Sequence, residues 1–130
     1  MSKFLIAIHH PDTYDPRSED PTMTYRISRL NRQMEAAGIR VFVGGLHPAN
    51  HAKSVRWAPD GKIITTDGPY LHTHQHVGGF WVVETSDLSE ALMWGRKVAK
   101  ACLAPVEVRQ FHDYLTEPVC DAPGQINDQN

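Results

Sequence analysis

With 130 residues, 41% hydrophobic and 22% charged, the chain has the size and composition of one globular domain. The formal charge of −2, with no basic stripe, excludes the usual footprint of a nucleic-acid reader. No segment reaches the roughly 18 apolar residues of a membrane helix. Cys102 and Cys120 have neither metal nor redox spacing, so a reducing, cytoplasmic setting is expected. The opening Met1 to Ile8 is too short to read as a signal peptide.

Phe4 to Ile8 is a short continuous apolar run, the pattern of a central strand buried on both faces. His9 to Asp20, with Pro11 and Pro16, reads as a loop. Asp20-Pro21 is a cap followed by proline at the first helical position. Met23, Ile27, Leu30, Met34 and Ala37 then recur at helical spacing, and Gly38 stands where a left-handed terminator belongs. Ile39 to Val43 is a second strand, ending at Gly44-Gly45.

Ser54 to Ala58 and Lys62 to Thr66 flank Pro59-Asp60-Gly61, which predicts a hairpin. Gly79 to Glu84 predicts another central strand. Asp87 with Glu90 forms a capping signal for a helix that buries Leu88, Ala91, Leu92, Gly95, Val98, Ala99 and Cys102. Pro105 to Phe111 is the last strand, and 113–130 is a polar tail or an arm laid on a partner subunit. Trp57, Trp81 and Trp94 are read as core or interface.

The order β-α-β, hairpin, β-α-β defines an α+β domain over 1–112, ferredoxin-like with an added hairpin. Two helices cover only one face of such a sheet, yet its central strands are apolar on both. A second copy is the economical cover, giving a homodimeric α+β barrel with a small-molecule pocket between the sheets. If Val106 and Val108 face the helices, then Glu107, Arg109 and Phe111 face that second side.

His72-Thr73-His74-Gln75-His76 has a period of two, so an extended backbone places three imidazoles on one side. The run has two functional readings beside that of a plain solvated surface. His72, His74 and His76 are candidate ligands of a divalent metal, zinc or iron, with His9, His10, His47 and His51 as reserve donors. Alternatively they carry protons, since histidine titrates near neutrality. Asp67 either fixes its turn through a backbone hydrogen bond or acts beside the histidines as a base.

Four motifs in order carry a family resemblance: Thr66-Asp67-Gly68-Pro69-Tyr70, Gly78-Gly79-Phe80, Asp87 to Leu92, and Val106-Glu107-Val108-Arg109. Together they resemble the YCII-related family, in its DGPF-domain branch, over about Lys3 to Phe111. The resemblance implies a ferredoxin-like dimer and, by one branch, dehydrochlorinase-like chemistry. A His–Asp pair proposed for shorter members does not transfer. There is no histidine between Thr22 and Gly38, and the second helix ends on Val98-Ala99-Lys100-Ala101.

The leading expectation is a lyase- or isomerase-type enzyme working by acid–base chemistry at the dimer interface. Asp67, His72, His74 and His9 are its candidate catalytic residues, and Arg109 and Tyr70 its candidate substrate contacts. A His-rich metal site and a non-catalytic dimeric metabolite-binding or sensing module are the alternatives.

Overall fold

The computed structural model describes residues 1–113. Strand β1 (Ser2–Pro11) leads through a 3₁₀ turn to helix α1 (Pro21–Ala37) and strand β2 (Arg40–Gly45). A hairpin of β3 (Lys53–Trp57) and β4 (Ile63–Asp67) follows, then β5 (Gln75–Thr85), helix α2 (Leu88–Cys102) and β6 (Val106–Gln110). The main sheet is antiparallel with order β2-β5-β1-β6, and the hairpin forms a separate two-stranded sheet. This is the ferredoxin-like arrangement with an inserted hairpin.

Both helices start where their caps dictate. The Asp20 carboxylate accepts from Met23 N–H at 2.8 Å, and Asp87 accepts from Glu90 N–H at 2.9 Å. Glu90 reaches back to the N–H of Ser86, one residue earlier than a standard capping box requires. Helix α1 ends at Gly38, whose φ of 71° is the left-handed conformation glycine adopts without a steric penalty.

The core lies between the helices and one face of the sheet. Phe4, Ile6 and Ile8 of β1 meet Leu30 and Met34 of α1 and Trp94 and Val98 of α2. Each fully buried large side chain contributes about 1.5–3 kcal/mol of burial. Gly95 lets α2 settle against β6, since a side chain there would begin 2.7 Å from Val108 Cγ2. Two expectations need correction. Leu88 and Leu92 stay exposed, in the first turn of α2 and at the margin of its buried stripe. Of the tryptophans read as core or interface, Trp57 is not core: it is 72% exposed because the hairpin stands off the main sheet.

Strand alternation assigns the opposite face to Leu5, Ala7, Phe80, Val82, Glu107 and Arg109, which pair across the strands. Val106 and Val108 pack on the core, as their parity requires. No helix among the described residues covers this second face, where Phe42 leans on Phe80 with centroids 5.7 Å apart. The expected arm lies, beyond its first residue, outside the described residues. No helix among the described residues is long and apolar enough to cross a membrane.

Candidate active site

Strand β1 alternates Phe4, Ile6, Ile8 onto the helix-covered face, and the same alternation carries one step further to His10. Opposite it, β5 holds one extra residue. Ile8 pairs with Gly79 but His9 pairs with Val77, so Gly78 bulges out and His10 comes to face His76. Cross-strand partners share a face, so both imidazoles turn toward the helix side. The loop after β1 then folds over them. Tyr14 stacks on His10 with ring centroids 3.8 Å apart and planes 2° from parallel, and its hydroxyl donates to Glu19. Asp12 is tied to the start of β5 twice, by its N–H to the carbonyl of His74, the residue just before the strand (2.9 Å), and by its carboxylate to His76 Nδ1 (2.7 Å).

These elements and the segment 44–50 enclose a cavity of about 510 Å³. That is within the range of small-molecule sites. Its floor is apolar, built from Ile8, Ile27, Val43, Trp81 and Cys102. Its polar side chains are His10, Asp12, Tyr14, Glu19, His47, Asn50 and His76. The cavity belongs to a single chain and lies on the helix side of the sheet. It is distinct from the expected pocket between two sheets and forms where the bulge and the Asp12–Glu19 loop leave a recess at one end of the β1–β5 pair.

The two histidines have opposite electrostatic surroundings. His76 Nδ1 faces the Asp12 carboxylate, and Nε2 faces the Leu71 carbonyl at 3.0 Å. Nε2 also lies 3.3 Å from Thr73 Oγ1, whose own proton goes to the Gln75 carbonyl, so these surroundings favour the protonated ring. Its pKa is raised, first by the Leu71 carbonyl and then by Asp12. His10 has its pKa lowered, chiefly by burial, with Glu19 opposing and His9 assisting. Among the described residues its ring nitrogens have no hydrogen-bond partner. Burial, reinforced by Glu19, also pushes the Tyr14 hydroxyl well above its ordinary value and the Cys102 thiol up to about 11. The surroundings thus favour the neutral form of His10, whose nitrogens are unengaged, and the protonated form of His76.

Most of the residues singled out from sequence lie elsewhere. Asp67 is exposed at the end of β4, and its carboxylate pairs with Lys53 at 2.6 Å rather than with turn backbone. The turn is instead held by Gly68, at φ 99°, whose N–H donates to Ala52 and whose carbonyl accepts from Ser54. His72, His74 and Tyr70 are exposed in the connection between β4 and β5 and do not line the cavity. His9 and Arg109 fall on the open face, both beside Glu107, at 4.0 and 3.0 Å. Of the His72/His74/His76 run only His76 enters the cavity, because the strand begins at Gln75 and the two earlier residues are not extended against a neighbour. No group of three or more His, Cys, Asp or Glu among the described residues is placed to hold a metal ion.

The chain is thus a small ferredoxin-like α+β domain with a pocket lined by histidines and carboxylates, and the fold alone does not assign it an activity. The comparison with known sequences narrows this. The profile of the YCII-related domain matches residues 1–112, and the chain belongs to that family. A relative, an uncharacterized protein of Rhizobium meliloti (strain 1021), is 29% identical over 85 residues, 65% of this chain and 68% of its own length.

Proposed function

We propose that the protein is a small-molecule enzyme of lyase or isomerase type, with His10 as its general base. One observation carries this reading: His10, half-buried with unengaged nitrogens and a lowered pKa, lines the cavity and pairs across the strands with His76, whose pKa is raised. Pairs of titratable groups pushed apart in pKa by their surroundings are the signature of divided acid–base roles. His10 takes a proton from a bound molecule, and the His76 charge, held in place by Asp12, stabilises negative charge as it develops. His76 spends both of its protons on protein acceptors, so its part is electrostatic and not that of a base.

The resemblance of Thr66 to Tyr70 and Gly78 to Phe80 to the DGPF branch favours a dehydrochlorinase-like elimination within this class. There His10 would remove a proton while chloride departs from the neighbouring carbon. The open sheet face, with Leu5, Phe42, Phe80 and Val82, supports a homodimer in which a second copy covers it. The buried free thiol of Cys102 is in keeping with a cytoplasmic protein.

The test is a panel of chlorinated hydroquinones and small hydroxy acids. Chloride release and proton exchange into deuterated water are followed for wild type and His10→Gln. Turnover that falls at least about a hundredfold in the variant supports the assignment, as expected for loss of a general base. Turnover that is unchanged in His10→Gln overturns it. Binding without any chemical change would favour a non-catalytic metabolite-binding module.

A further inference from the structure

The charge distribution of the cavity points to a class of ligand. The described residues lining it include no lysine or arginine, and residues 114–130 contain none to contribute. Arg17, next to the lining Pro16, is 91% exposed in its side chain and ion-paired with Asp15 at 3.0 Å. Sites that hold carboxylates or phosphates supply guanidinium, ammonium or helix-terminal N–H groups to replace lost water. Among the described lining residues the group whose surroundings favour a positive charge is His76, and the Asp12 carboxylate already lies 2.7 Å from its Nδ1. Glu19 remains as a second carboxylate whose partner, the Tyr14 hydroxyl, is neutral.

The protein's own acids register the same field. Tyr14 and Cys102, which both line the cavity, are both favoured in their neutral forms by burial and by Glu19. An entering anion meets the same two penalties, desolvation over an apolar floor and repulsion from Glu19. A cation would escape the repulsion but still lose its hydration over Ile8, Ile27, Val43 and Trp81, and Glu19 already accepts from Tyr14. The unengaged nitrogens of neutral His10 offer one acceptor and one donor, the complement of a hydroxyl group.

We propose that this cavity takes an uncharged, apolar-bodied molecule that presents a hydroxyl or N–H group to His10, and that it excludes carboxylates and phosphates. The proposal rests on the cavity assigned above but concerns ground-state binding. The transient charge of a reaction is a separate matter, since it forms only after the neutral molecule is seated. It also removes Arg109 from the role of anion holder, because Arg109 lies on the other face of the sheet.

The experiment uses the full chain and three probes of one shape: cyclohexanol, cyclohexanecarboxylate and cyclohexylamine. Each is titrated at pH 7.5 while the amide signals of Gly44, Gly45 and Gly79, which line the cavity, are followed by NMR. Cyclohexanol is expected to shift these signals, and the carboxylate to bind at least about tenfold more weakly. In Glu19→Gln the gap between alcohol and carboxylate is expected to narrow. A carboxylate that binds wild type as well as the alcohol overturns the proposal, as does an amine that binds better than the alcohol. So does the failure of all three to shift the cavity signals. None of these readouts requires turnover, so selectivity for neutral probes can fail or hold independently of the His10-dependent chemistry.

Discussion

Gly78→Ala is the sharpest probe of how the site is built. A Cβ at this position would lie 2.1 Å from His10 Cδ2 and 3.0 Å from both Cγ and Nε2, so it meets the ring along its Cδ2 edge. The imidazole must retreat by about 1.3 Å to restore an ordinary contact. It cannot do so and keep its parallel stack on Tyr14. Losing that stack costs about 0.5–1.5 kcal/mol, and a ring forced off its rotamer costs about the same. Replacing glycine returns roughly 0.4–1 kcal/mol through the unfolded chain, so the net destabilisation is about 1 kcal/mol.

The larger effect falls on His10 itself. A displaced ring gains water, so its pKa should climb back toward the ordinary 6.5. In the wild type a lowered histidine pKa means stability present above 6.5 and lost as pH falls toward the folded value. The variant should lose this part of the acid-side slope. Urea unfolding at pH 5 to 8, with histidine side-chain NMR titration, measures both quantities. If the His10 pKa and ring signals are unchanged in Gly78→Ala, the account of the bulge as the berth of His10 is wrong.

Three further outcomes are expected. His76→Gln should flatten the alkaline side of the stability profile, because a raised pKa gives stability that is full below 6.5 and fades as pH rises through the folded value; a variant with the wild-type slope would show that the Asp12–His76 pair contributes nothing. Cys102, at 5% exposure and with its thiol pushed up to about 11, should resist iodoacetamide at pH 8 in folded protein, and peptide mass analysis showing rapid labelling there would refute its burial. Asp87→Ala should cost about 1 kcal/mol in urea unfolding through loss of the α2 cap, with cavity signals in the NMR spectrum unmoved.

Local chemistry made much of the fold legible in the sequence. Asp20-Pro21 and Gly38 bound α1, Asp87 and Glu90 start α2, and Pro59-Asp60-Gly61 turns the hairpin, each through groups only a few residues apart. The alternation of Val106 and Val108 likewise assigned Glu107 and Arg109 to the open face before any contact was known. One signal for the site was also present. The alternation Phe4, Ile6, Ile8 continues to His10, although the polar pair His9-His10 before Pro11 reads more readily as the end of the strand.

The remainder depended on pairing between distant segments. The period-two pattern of His72, His74 and His76 treats the three alike, but only His76 lies within the β5 ladder, opposite His10. Asp12, Tyr14 and Glu19 look like ordinary loop residues until the loop closes over the end of the sheet. The one-residue bulge at Gly78 sets which side chains of β5 meet which of β1, and a shift of one residue would turn His76 to the other face. Capping and alternation act over a few residues and can be read along the chain. A base and its neighbouring cation come together here from segments 66 residues apart, so only the tertiary register could decide that His10 and His76, and not His72 and His74, share one cavity.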